Sequence, residues 1–162
     1  MAVEKYRNLK LTRRAALVGM LALAGCQAVG LAPRASANGE NGQAAAYLPT
    51  IRAENGLASM QPDAALEAAA REQASYMASA GRMAHTAAMG GSFDRRMKRN
   101  GFAGRAAENI AHGAFGADEL FDRWMNSAPH RRNILNPAFA RYGLASAQDS
   151  AGRRYWALIL AE

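Results

Sequence analysis

The sequence predicts an α+β domain in which a small, mainly antiparallel sheet lies between two layers of helices. The 162-residue chain is long enough for one packed domain and too short for two of ordinary size. Its 50% hydrophobic content depends heavily on alanine, which favours closely packed helices. Residues 154–160 (RYWALIL) are apolar on both faces of a strand. Such a strand must be covered on both sides, which predicts a three-layer α-β-α sandwich.

The N-terminus has the parts of an export signal. Residues 1–14 are basic, and Ala15–Gly25 is an apolar run too short to cross the ~30 Å core of a bilayer as a stable helix. The run leads into LAGC, which resembles a bacterial lipobox, and Cys26 is the only cysteine of the chain. Lipidation explains a lone thiol in an exported protein, because no disulfide can form within the chain. We therefore expect a signal peptide over 1–25 and a lipoprotein held at the membrane of the cell envelope through Cys26.

Other signals in this region would lead to different outcomes. Residues 35–37 (ASA) form an A-x-A pattern, and cleavage after Ala37 would release a soluble secreted protein. Arg13 and Arg14 resemble a twin-arginine signal, but paired arginines occur in many basic n-regions, so the export route stays open between twin-arginine and Sec. In a host with two membranes, Gln27 after the lipidated cysteine argues against retention at the inner membrane and favours the outer membrane, facing the periplasm.

The formal charge of +7 does not predict a nucleic-acid partner. Residues 1–25 hold five basic residues and one acidic residue, a net of +4, which leaves 7 − 4 = +3 for the rest. The basic run Arg95, Arg96, Lys98 and Arg99 remains, and on a short helix such a run is typical of a solvated face. We expect no nucleic-acid binding.

After the signal, residues 26–44 are small, polar and interrupted by glycine and proline, which predicts a flexible tether before a domain over 45–162. Caps and stops then define the helices. The predicted helices are Ala46–Asn55 stopped by Gly56, one capped by Asp63 and ended by Gly81, a short one from Ser92 to Asn100, one that begins with Asp118 and Glu119 and buries Leu120, Phe121 and Trp124, and one that begins at Ser127–Pro129 and stops before Asn136.

Three segments lack a helical period and predict extended chain. Residues 105–113 (RAAENIAHG) form one of them. Ala140–Ala147 and Arg154–Leu160 flank a polar turn, which predicts a β-hairpin.

Two histidines occur where functional side chains are often presented. His85 follows the stop at Gly81 on a predicted loop, and His130 lies in the first turn of a helix. The third histidine, His112, is expected in an exposed loop, although strand alternation could place it on the same side as Glu108.

The order of these motifs resembles the CAP superfamily of cysteine-rich secretory proteins, antigen 5 and pathogenesis-related proteins, in its short bacterial SCP-like form. The resemblance is collinear from Leu48 to the end and rests on IRAENGL, AAAREQASYMA followed by His85, GGSFDRRMKRNGF, AENIA, WMNSAPHRRNILNP, RYGLA and YWALILA. The family implies an α-β-α sandwich with a cleft lined by two histidines and usually two glutamates, which fall on His85, Glu108 and His130. Ser127 stands where eukaryotic members often have the second glutamate, and Leu158 where a polar residue is frequent.

The residues of this cleft allow several kinds of chemistry. Two imidazoles and a carboxylate could bind a divalent metal such as zinc, or form a polar cluster that binds a small ligand or another envelope component. A serine hydrolase would use Ser127 as nucleophile, His130 as base and Glu108 to orient it, but Ser127 is expected to cap a helix and no nucleophile elbow is present. The sequence therefore predicts a ligand-binding or metal-binding cleft. The alternatives are a metal-assisted or serine-type hydrolase acting on envelope peptides or peptidoglycan, and a lipid or sterol carrier.

Overall fold

A computed structural model describes residues 35–86 and 91–162. The helices are α1 (Asn41–Glu54), α2 (Ala64–Ala80), α3 (Phe93–Arg99), α4 (Ala117–Met125) and α5 (Ala128–Ile134). The strands are β1 (Ala37–Gly39), β2 (Gln61–Pro62), β3 (Ala106–Gly113), β4 (Arg141–Gln148) and β5 (Arg154–Ala161). The predicted signal peptide and Cys26 lie outside the described residues. In the described ranges no helix combines the length and apolar character needed to cross a membrane.

The sheet has the strand order β1-β4-β5-β3, and β2 pairs with β4 beside β1. All pairings are antiparallel except the two-residue β2–β4 contact. The predicted hairpin is confirmed as β4 and β5, and the predicted extended segment is confirmed as β3. Because β3 ends the strand order, only one of its edges is paired with another strand of this order.

The three-layer prediction is confirmed by two separate apolar cores, one on each face of the sheet. The first core joins α2 and α3 to the sheet through residues such as Leu66, Met97 and Ile159. The second joins α1, α4 and α5 to the opposite face and contains Trp124 and Trp156. Strand β5 contributes alternate residues to both cores, as its apolar faces predicted.

Most predicted helix ends agree with the structure because caps are local features. The Asp63 carboxylate accepts from the backbone N–H groups of Ala65 and Leu66, and Gly81 ends α2 in the left-handed conformation with φ of 59°. Ser92 caps α3 through a hydrogen bond from the Arg95 N–H.

The folded unit begins earlier than predicted. Ala37 pairs with Ala147 in the sheet, the Ala35 N–H donates to Ser79 Oγ at 2.8 Å, and the Ser75 hydroxyl donates to the Ala35 carbonyl at 2.6 Å. Helix α1 begins five residues before the predicted start. The prediction of a flexible tether is therefore wrong for residues 35–44, where tertiary pairing orders a segment that has little propensity of its own.

A buried arginine fixes the position of α5. Arg52 is 1% exposed, and its guanidinium donates to the carbonyls of Ala58, Ile134, Asn136 and Phe139 at 2.6 to 3.2 Å. Burial lowers the pKa of this arginine. The cation satisfies carbonyls at and beyond the C-terminal end of α5, which holds the helix that carries His130.

Candidate functional site

The three predicted site residues come from three elements that meet around β3. Glu108 lies on β3 itself, His85 on the segment after α2, and His130 in the first turn of α5. The Glu108 side chain is 3% exposed and the His85 side chain is 58% exposed. A buried carboxylate and an accessible imidazole thus lie together at β3, the last strand in the sheet order.

The Glu108 carboxylate is bound on both oxygens by other side chains. Its Oε2 accepts from His85 Nδ1 at 2.9 Å, and its Oε1 accepts from Arg96 Nη2 at 2.5 Å. An ionised carboxylate can only accept, so the hydrogen bond places a proton on His85 Nδ1. This hydrogen bond is the main reason that the pKa of His85 is raised above its ordinary value.

Arg96 is a site residue that the sequence analysis missed, and the prediction of a solvated basic face is wrong for it. The residue is fully buried, whereas Arg95 and Lys98 on the same helix are exposed. Phe93 and Met97 share the inward side of α3 with Arg96, a spacing of i, i+3, i+4 that could have identified its direction. A buried cation needs a partner, and here Glu108 supplies it.

Arg96 also binds the backbone at two positions that precede α3. Its Nη1 donates to the carbonyls of His85 at 3.2 Å and Gly91 at 3.4 Å. Gln73 adds a hydrogen bond of 2.6 Å from Nε2 to the Ala84 carbonyl. The backbone at His85 is therefore fixed from both α2 and α3.

His130 is positioned by β3 from the opposite face of the sheet. The fully buried Asn109 donates from Nδ2 to the His130 carbonyl at 3.1 Å and accepts from Asn133 Nδ2 at 2.9 Å. Successive residues of a strand point to opposite faces, so Glu108 and Asn109 direct His85 and His130 from the two sides of β3. Burial lowers the pKa of His130, and the charge of His85 lowers it further.

The predicted role of Ser127 as a side-chain cap is wrong. Ser127 occupies the N-cap position of α5, but its hydroxyl makes no capping hydrogen bond. Instead, Ser127 Oγ and His130 Nδ1 share a hydrogen bond of 2.9 Å. Glu108 does not orient His130 as the hydrolase hypothesis requires, because its carboxylate contacts His85 and Arg96 instead.

The arrangement does not fit a metal ion at Glu108. Among the described residues, no group of three or more histidine, cysteine, aspartate and glutamate side chains is placed to hold one. Both carboxylate oxygens are already used, one of them by a guanidinium. The guanidinium by itself would repel a divalent ion about 5 Å away by about 7 kcal/mol at an effective dielectric constant near 20, which offsets the attraction of Glu108 for that ion.

The remaining histidine does not join the cleft residues in any hydrogen bond. Along β3, His112 has the same parity as Glu108, and the two pair with Tyr155 and Ile159 of β5, which lie in the same core. The expectation of an exposed loop is wrong in part: His112 is exposed, but it lies in β3, on the side of Glu108 that strand alternation allowed. The His112 ring stacks on Tyr155 with centroids 5.6 Å apart.

A separate pocket of about 590 Å³ lies beside α3 and contains none of the predicted site residues. Its apolar lining comes from Phe93, Met97, Phe102 and Phe139. The group of His85, Glu108 and His130 and this pocket are thus two different features of the described structure.

The family model described as CAP: Cysteine-rich secretory protein family matches residues 46–160. The uncharacterized protein YkwD of Bacillus subtilis is 35% identical over 101 residues, which cover 62% of this chain and 39% of YkwD. The chain therefore spans about two fifths of the length of this curated relative.

Solved structures share the fold at low sequence identity. An outer surface protein from Borrelia burgdorferi has a TM-score of 0.67 at 18% identity, covering 75% of this chain and 91% of its own. An extracellular protein containing a SCP domain from Bacillus anthracis has a TM-score of 0.64 at 22% identity, covering 71% of this chain and 37% of its own.

Proposed function

Because this chain belongs to the CAP family of cysteine-rich secretory proteins, we propose that it is an exported, lipid-anchored protein of the bacterial cell envelope whose cleft binds a small polar ligand. One observation carries the ligand proposal. His85 and His130 each use Nδ1 within the protein, while the Nε2 atom of each ring makes no hydrogen bond in the described part of the chain. Two ring nitrogens, fixed from the two faces of β3, are available to a ligand.

Export is supported by the N-terminal signal features and by what structurally similar proteins are called. These proteins include an outer surface protein and an extracellular protein. For the anchor, the contacts of Ala35 and the pairing of Ala37 argue against cleavage after Ala37, because that cut would remove both residues from the folded unit. Processing at Cys26 leaves these contacts intact.

Metabolic labelling with an alkyne fatty acid tests the anchor. We expect the wild-type protein to be labelled and membrane-associated, and Cys26→Ser to lose the label. Mass spectrometry of the mature N-terminus adds a second readout. Equal labelling of both proteins, or a mature N-terminus at Asn38, would overturn lipid anchoring.

The ligand proposal is tested with soluble muropeptides, which are small polar fragments of the envelope. Titration into the ¹⁵N-labelled protein should shift the imidazole resonances of His85 and His130 and leave that of His112 unchanged. His85→Gln should weaken binding, and His112→Gln serves as the matched control because its ring packs on Tyr155 outside the cleft. Binding that is unchanged in His85→Gln would contradict the assignment of the cleft.

A second candidate function is hydrolysis of the same fragments, favoured by the contact between Ser127 Oγ and His130 Nδ1. A serine hydroxyl beside an imidazole is the usual arrangement of an activated nucleophile. Turnover of muropeptides, detected by mass spectrometry and lost in Ser127→Ala, would establish this function in place of simple binding. The lipid-carrier alternative would use the separate pocket beside α3 and predicts a co-purified lipid whose loss follows Phe102→Asp.

A further inference from the structure

We infer that Arg96 determines the ligand class of the cleft: its guanidinium occupies the cation position at Glu108, so the wild-type cleft rejects divalent metal ions and accepts uncharged or anionic ligands. This inference rests on the proposed ligand-binding function and specifies it. It also implies that removing the positive charge of Arg96 turns the same cleft into a metal site.

Both oxygens of the Glu108 carboxylate already have partners within the protein. Glu108 is the acidic residue that contacts His85, and its second oxygen is bound to Arg96 Nη2. A metal ion bound between His85 and Glu108 would have to displace the hydrogen bond from His85 and share the carboxylate with a guanidinium. A metal ion bound instead at Nε2 of His85 and His130 would have only neutral ligands, because the charge of Glu108 is already neutralised by Arg96.

Arg96 cannot easily move aside to admit a metal. Its side chain is fully buried, and Nη1 is bound to the carbonyls of His85 and Gly91. The guanidinium carbon also lies 5.8 Å from the centroid of the Phe93 ring. These contacts fix the cation beside Glu108.

Zinc titration of the purified wild-type protein and three variants tests the inference, with imidazole ¹⁵N resonances and calorimetry as readouts. Arg96→Gln removes the charge, Arg96→Lys keeps it, and Arg95→Gln is the matched control on the exposed side of the same helix. We expect Arg96→Gln to bind zinc at least about tenfold more tightly than the other three proteins, the lower bound set by charge repulsion at the dielectric constant of water. Zinc should also raise its melting temperature, and Glu108→Gln added to Arg96→Gln should abolish the gain.

Stoichiometric zinc binding by the wild-type protein that shifts His85 and His130 would overturn the inference, as would a folded Arg96→Gln with no gain. If Arg96→Gln folds only in the presence of zinc, the inference is supported. If it does not fold in any condition, the wild-type and Arg96→Lys titrations decide the matter, because both must reject zinc. A failure of muropeptides to bind would reject the proposed ligand and leave the zinc result unchanged, so the two outcomes are distinguishable.

Discussion

Breaking the buried pair of Arg96 and Glu108 on one side should cost far more stability than removing both partners together. The two side chains are 0% and 3% exposed, so a single truncation leaves an uncompensated buried charge. For such a group the expected loss is about 3–5 kcal/mol in the free energy of unfolding, for Arg96→Met and for Glu108→Leu alike. Simple addition would give the double variant a loss of about 6–10 kcal/mol.

The double variant should instead lose only about 2–4 kcal/mol, since it leaves no buried charge but loses the bonds from Arg96 to two carbonyls, at about 1 kcal/mol each, and the contact with His85. Urea unfolding of the four proteins measures the coupling energy, which we expect to be at least about 2 kcal/mol. The pair Arg99 and Glu72 is the matched control because Arg99 is 42% exposed. Its coupling should stay below about 1 kcal/mol. Losses at Arg96 and Glu108 that add within about 0.5 kcal/mol would show that the two side chains are not energetically coupled.

Three further predictions concern stability, each measured by urea unfolding. The folded-state pKa of His85 is raised, so its contribution to the free energy of unfolding is complete below about pH 6.5 and is lost as pH rises through that raised pKa. His85→Gln should therefore destabilise the protein more at pH 5.5 than at pH 8. An equal loss at both pH values would contradict the contact with Glu108. Arg52→Met should cost about 3–5 kcal/mol because four carbonyls lose their donor, and a loss under about 1 kcal/mol would reject that role. Gly143→Ala should cost about 1–3 kcal/mol or more, since a Cβ there would lie 2.1 Å from the backbone nitrogen of Glu67, and a neutral result would mean that α2 does not pack so closely on β4.

The layers of the fold could be predicted because they depend on local patterns. The cap at Asp63 and the stop at Gly81 need only neighbouring residues, and the two apolar faces of β5 reveal that the sheet is covered on both sides. The strand β1 could not be predicted, because Ala37 and its neighbours are ordered by pairing with β4, about 110 residues later in the chain.

The candidate site could be predicted from the sequence only in part, for the same physical reason. His85, Glu108 and His130 were identified through motifs, and the contact between His85 and Glu108 follows from the fold. The basic run on α3 predicts a solvated face for Arg96, because its partner Glu108 lies twelve residues away on another element and leaves no local signal. The position of Ser127 predicts a cap, but its hydroxyl forms a hydrogen bond with the imidazole of His130 instead.

We propose that the Glu108 carboxylate, held by Arg96, fixes His85 through Nδ1 and leaves Nε2 for a ligand. A long-range ¹H–¹⁵N correlation spectrum, recorded above the pKa of His85, reports directly which ring nitrogen carries the proton. We expect a neutral His85 protonated on Nδ1, and loss of this preference in Glu108→Gln. A wild-type His85 protonated on Nε2, with a spectrum that Glu108→Gln does not change, would contradict it.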